Sequence, residues 1–91
     1  MPHGYSERTQ ELTRRLARIE GQVRGLSRMI GEEAYCIDVL TQLASVTKSL
    51  QSVGMELLSD HLRHCVQHAA PGTEDAMVEE AVTSVKRLLR S

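Results

Sequence analysis

Residues 35–69 read YCIDVLTQLASVTKSLQSVGMELLSDHLRHCVQHA, and the spacing of their apolar and small side chains decides the fold. Cys36, Leu40, Leu43, Thr47, Leu50, Gly54, Leu57 and His61 step alternately by four and three residues, the repeat of one helix face. Gly54 is the single breaker in the stretch, so one long helix is expected from Tyr35 to about Ala69. Val39, Val46, Val53 and Leu58 widen the stripe, which predicts burial against more than one partner helix.

Upstream, Leu12, Leu16, Ile19, Val23, Leu26 and Ile30 alternate in the same way and predict a first helix from about Glu7 to Ile30, with a coiled-coil-like seam. Ser6 is its expected N-cap and Gly31 its stop. Gly21 and Gly25 lie four apart on one face, where each costs about 1 kcal/mol relative to alanine. Close approach of another helix would explain them. Downstream, Pro71 and Gly72 break the chain, Thr73 is placed to cap, and Glu74 and Asp75 suit a first helical turn. Val78, Ala81, Val82, Val85, Leu88 and Leu89 complete a short third helix. With no strand signal and no internal repeat, the expected fold is all-α: two long helices and a short C-terminal one.

A chain of 91 residues falls just short of the usual domain length of about 100–200, so residues 1–91 are expected to form a single domain. It has no Trp or Phe, and its only aromatics are Tyr5 and Tyr35. A small domain without large side chains or covalent staples is marginal alone, which predicts burial against copies of itself. No window of about 18 apolar residues offers a membrane span, and the N-terminus lacks the charged-then-apolar secretory pattern. A cytoplasmic location is expected, where two cysteines near histidines point to metal or redox chemistry more than to a disulfide.

The net charge of −1 argues against a generic nucleic-acid binder, but its distribution is uneven. Residues 1–30 carry six arginines against three glutamates, a net +3, while residues 31–70 sum to −3 and residues 71–91 to −1. Positive charge is therefore gathered on the first helix, as either a solvated face or a stripe that contacts phosphates.

His61 and Cys65, four apart on a helix, lean from one face and can share an ion. Cys36 lies on the same stripe but 25 residues earlier, roughly 37 Å along a continuous helix. It cannot join them within its own helix. If two copies of the long helix pack antiparallel about a centre near Ser49 or Leu50, residue 36 of one falls opposite residue 63 of the other. Cys36 then faces His61 and Cys65 of its neighbour, and two-fold symmetry makes two such sites. Two thiolates and one imidazole form a soft, three-coordinate set that favours Cu(I), whereas Zn(II) usually recruits a fourth ligand. His64, His68 and His3 are candidates for a fourth position, although His64 points to another part of the helix.

Through Tyr35-Cys36-Ile37-Asp38 and His61-Leu62-Arg63-His64-Cys65 the sequence resembles the CsoR/RcnR family of metal-responsive repressors, in its copper-sensing branch. Arg14-Arg15-Leu16, Arg18-Ile19-Glu20-Gly21-Gln22 and Gly25 are similar to that family's basic first helix, and the likeness spans nearly the whole chain. The resemblance implies a three-helix protomer, antiparallel dimers assembled into a disc-like tetramer, and Cu(I) held by Cys36, His61 and Cys65 across the dimer interface. It further implies supporting roles for Tyr35 and Glu80 around the His61 ring. Within that basic stripe Arg14, Arg15 and Arg18 are expected to contact DNA phosphates, with Arg15 foremost. Family members often carry a basic residue near the middle of the second helix, where this chain offers only Lys48. By the same resemblance, the apo form holds operator double-stranded DNA and Cu(I) releases it, so that copper-resistance genes are expressed.

Other branches differ at the ligand positions. A histidine at residue 65 would mark nickel or cobalt sensing, and Pro2 and His3 resemble the nickel- and formaldehyde-sensing branches, which use the amino terminus; Cys65 argues against both. Persulfide sensing would use the two cysteines without needing His61 and is the runner-up. A copper chaperone or store would leave the arginine stripe without a purpose. Cys65 with His61 could also be drawn as a nucleophile and base, but no oxyanion-type loop or glycine-rich cradle accompanies them, so an enzyme is not expected.

Overall fold

The computed structural model describes residues 5–90, apart from the side chain of Ser6. A 3-10 turn, Ser6–Arg8, leads into α1 (Thr9–Gly31), followed by α2 (Cys36–His68) and α3 (Glu74–Arg90). All regular structure among the described residues is helical, in two long helices and one shorter C-terminal helix, as the periodicity predicts. Among the described residues no helix is long and apolar enough to cross a membrane. Two compact units divide the chain: Gln10–Val53, and a second that joins the segment up to Thr9 with the residues from Gly54 onward.

The first unit holds α1 and the leading part of α2. Its core is Leu12, Ile19 and Leu26 from α1, seven residues apart, with Val46 and Val53 from α2, also seven apart. Each helix thus buries one row of its apolar stripe. The alternate rows, Leu16, Val23 and Ile30 on α1 and Leu40, Leu43 and Leu50 on α2, stay exposed. Expected close approach at Gly21 and Gly25 does not occur among the described residues of the chain. A Cβ at Gly21 would touch only the Arg24 side chain of its own helix, and one at Gly25 would meet nothing within 4 Å.

The stop of α1 falls at Gly31, but a different residue performs the turn. The amide of Glu33 bonds to the Ile30 carbonyl at 3.1 Å and that of Ala34 to the Met29 carbonyl at 2.9 Å, a Schellman arrangement. Its left-handed position is taken by Glu33, at φ 55°, rather than by glycine. The Tyr35 carbonyl then accepts the amides of Asp38 and Val39 at 3.0 and 3.2 Å, starting α2 at Cys36.

In the second unit, α3 folds back along the end of α2. Gly54 lies against Leu88, and His61 lies against Glu80, so the two helices run antiparallel. A Cβ at Gly54 would stand 2.8 Å from both Leu88 methyl carbons, which is the physical reason for a glycine inside this helix. Gly72, at φ 88°, makes the reversal. Thr73 takes the N-cap position through its carbonyl, which accepts the Met77 amide at 3.1 Å. Its hydroxyl does not cap α3; it donates to the Ala70 carbonyl at 2.7 Å and closes the turn.

At the N-terminus α1 begins at Thr9, two residues later than expected, because the Arg8 amide bonds to the Tyr5 carbonyl at 2.9 Å in a 3-10 turn. The Arg8 guanidinium pins that turn to α2, reaching Glu56 Oε1 and Asp60 Oδ2 at 3.1 Å each. Asp60 is the one buried charged residue among those described.

Candidate metal centre and nucleic-acid interface

Helical spacing brings His61 and Cys65 together near the end of α2. Cys65 Sγ lies 3.5 Å from His61 Nε2 and 4.0 Å from Nδ1. Nε2, the ring nitrogen nearer to that sulfur, also bonds to Glu80 Oε1 of α3 at 2.8 Å. A carboxylate accepts, so Nε2 carries the hydrogen and Nδ1 keeps the lone pair that a metal requires. Thiolate and imidazole bonds of about 2.3 and 2.0 Å together reach about 4.3 Å, so one ion can bridge Sγ and Nδ1 at their present separation.

Cys36 belongs to the other unit, where it is the first residue of α2 and exposed; both cysteines are free thiols. Among the described residues no three His, Cys, Asp or Glu side chains converge on a point that could hold a metal. One chain thus assembles a thiol and imidazole pair with a carboxylate behind it. Tyr35 sits just before α2 with its side chain exposed. The alternative ligands His64 and His68 pair with each other, their ring centroids 4.4 Å apart. His3 lies outside the described residues.

The arginines of α1 are not equivalent. Arg15 and Arg18 line a notch of about 190 Å³ with Ile19, Gln22 and Ser49. Arg15 donates from Nη2 to Ser52 Oγ at 3.2 Å, which orients its guanidinium along the α2 surface. Arg14 and Lys48 are exposed. Arg24 is held by Glu20, one helical turn back, at 2.8 Å, and Arg8 by its two carboxylates. Charge counting placed all six arginines in one pool and could not separate these roles; the notch and the Arg8 clamp depend on which α2 residues lie opposite.

The structure therefore defines a class: a small all-α protein with a thiol and imidazole pair supported by a carboxylate on one helix pair, and an arginine-lined notch on another. The chain belongs to the family of metal-sensitive transcriptional repressors, whose model matches residues 8–90. That family consists of regulators and is not enzymatic. The chain is 50% identical over 93 residues to the copper-sensing transcriptional repressor RicR of Mycobacterium tuberculosis (strain ATCC 25618 / H37Rv), covering 98% of this chain and 96% of the relative. It is 37% identical over 90 residues to the copper-sensing transcriptional repressor CsoR of Bacillus subtilis (strain 168), covering 98% and 89%. With the CsoR of Mycobacterium ulcerans (strain Agy99) the identity is 32% over 87 residues, covering 94% and 74%.

Proposed function

We propose that this protein is a copper(I)-responsive transcriptional repressor of the cytoplasm, which binds operator DNA without metal and leaves it when Cu(I) binds. The observation that carries the reading is the His61 and Cys65 pair, with Glu80 fixing the ring so that Nδ1 is available. Names of the relatives, each a copper-sensing repressor, support the same metal.

Cys36, His61 and Cys65 are the proposed ligands, completed between two protomers. Support comes from the apolar surface. Leu16, Val23, Ile30, Leu40, Leu43 and Leu50 form rows that the chain leaves in water, and the five buried apolar side chains among the described residues make a small core. An antiparallel dimer centred near Ser49 and Leu50 covers the α2 row and sets Cys36 opposite the partner's ligand pair. Close approach in such a dimer would also account for Gly21 and Gly25. Two dimers then form the tetramer. When bound, Cu(I) ties two thiolates and an imidazole from two chains into one unit; a soft ion suits that donor set.

Arg14, Arg15, Arg18 and Lys48 are the proposed phosphate contacts. Arg15 and Arg18 face the same notch, whose size and positive lining suit a phosphate oxygen cluster. Tyr35 and Glu80 are proposed to support the ligand ring. Moving a two-state equilibrium from 1:99 to 99:1 needs roughly 5.5 kcal/mol of differential binding. Shared over four sites this is roughly 1.4 kcal/mol each, within the usual range of allosteric coupling.

The test is anaerobic titration of the reduced protein with Cu(I), Ni(II), Zn(II) and polysulfide while operator binding is followed. Release by Cu(I) alone is the expected result. Release by polysulfide without dependence on His61 would transfer the function to persulfide sensing.

A further inference from the structure

The end of α2 reads His61-Leu-Arg-His64-Cys65-Val-Gln-His68, in which a second pair of side chains four residues apart follows the first. Three residues separate His64 from His61, so the second pair is turned about 60° around the helix from the first. His64 and His68 have ring centroids 4.4 Å apart with their planes 32° from parallel. His68 Nδ1 also lies 2.8 Å from the His64 carbonyl oxygen. A carbonyl only accepts, so Nδ1 donates, and the ring of the exposed His68 is held by its own helix through Nδ1, with Nε2 as its remaining nitrogen.

We propose that His64 and His68 form a second metal site, separate from the His61 and Cys65 pair, that takes a borderline divalent cation such as Ni(II), Zn(II) or Cu(II). Two imidazoles on one helix face supply adjacent ligand positions, and imidazole suits these ions better than it suits Mg(II) or Ca(II). A ring nitrogen that donates to a backbone carbonyl while the other faces a ligand is the usual support for a metal-bound histidine. Neither ring bonds to an acidic side chain that would occupy its nitrogens. No third side chain among the described residues converges on the pair. The remaining positions are left to water, so the ion is held weakly and exchanges.

This site differs in kind from the first. It contains no thiolate, lies on one chain, and does not depend on the dimer or on copper(I) being the inducer. It gives the protein a place where divalent ions reside without entering the sulfur ligand set.

The experiment uses Ni(II) alone, added to the reduced full-length protein, with binding followed by calorimetry and by broadening of assigned histidine ring resonances. His64→Gln and His68→Gln are each expected to weaken Ni(II) binding by at least about tenfold, no less than the loss of an orienting partner produces. In a Cys36→Ala/Cys65→Ser protein, which offers no thiolate to compete for the ion, that binding should persist. Ni(II) added to this protein should broaden His64 and His68 before His61, and both rings should also broaden when Ni(II) is added to the parent, a readout that does not rely on any variant folding. If the His64 and His68 variants bind as well as the protein they are made in, or if His61 broadens first where no thiolate is present, the second site does not exist. Failure of copper(I) sensing in the operator assay would leave this outcome untouched, so the two readings fail separately.

Discussion

His61 Nε2 and Glu80 Oε1 stand 2.8 Å apart, joining the His61 and Cys65 face of α2 to α3 through one hydrogen bond. That contact orients the ring and leaves Nδ1 as the nitrogen for the proposed metal. It also gives α3 a stake in ligand geometry. Replacing His61 with Nε2-methylhistidine keeps Nδ1 as a ligand and removes the donor to Glu80. Such a protein should still bind Cu(I) but release operator DNA less readily, and Glu80→Ala should act in the same direction. Normal copper binding combined with normal DNA release in both variants would remove Glu80 from the transmission route.

Cys36→Ala, His61→Ala and Cys65→Ala should each impair the copper response, with the thiol losses weakening Cu(I) binding most. A sharper result comes from mixing chains. A Cys36→Ala protomer paired with a Cys65→Ala protomer leaves one site with all three ligands and one with a single ligand. Verified heterodimers should therefore regain one copper site of two. Recovery of none would mean that the ligands do not come from two chains.

Arg15 and Arg8 should separate in salt titrations of operator binding. Arg15→Ala removes a proposed phosphate contact, so it should weaken binding and reduce the slope of log affinity against log salt by about 0.9 per contact. Copper affinity should be unaffected. Arg8→Ala should leave the slope unchanged and instead destabilise the fold by about 1–3 kcal/mol, because it strips Asp60 and Glu56 of charged hydrogen bonds. Equal salt slopes for Arg15→Ala and the parent would count against the notch as a DNA contact.

Glu33 holds a left-handed conformation, φ 55°, that costs a residue with a Cβ about 1–2 kcal/mol. Glu33→Gly should stabilise the protein by about 0.5–1 kcal/mol, the larger backbone entropy of glycine offsetting the rest. Thermal denaturation at one fixed protein concentration measures it, since the proposed assembly would make the midpoint depend on concentration. A lowered midpoint would show that the Glu33 side chain contributes more than its backbone loses.

Gly54 and Leu88 should be energetically coupled. Alanine at 54 gains up to about 1 kcal/mol of helix propensity, but its Cβ displaces the Leu88 methyls. In a Leu88→Ala background that conflict disappears, so Gly54→Ala should be more favourable there by about 0.5–3 kcal/mol, the range for residues in contact. Equal effects in both backgrounds would place the two side chains out of contact in solution.

The sequence by itself determined the three helices, because the three-four repeat of Leu12 to Ile30 and of Cys36 to His61 is a local property of the chain. It also determined the His61 and Cys65 pair, whose four-residue spacing puts both on one helix face wherever that helix goes. Only tertiary structure decided which apolar row is buried within the chain. Val46 and Val53 widen the stripe that carries Leu40, Leu43 and Leu50, and it is the valines that are buried while the leucines stay exposed. The stripe is wide enough to serve either side, and the choice rests on how α1 docks. The same holds for Arg8, whose charge is visible in the sequence but whose partners, Glu56 and Asp60, lie 48 and 52 residues away. Spacing within one helix fixes a face; pairing across a turn depends on the packing of both helices at once.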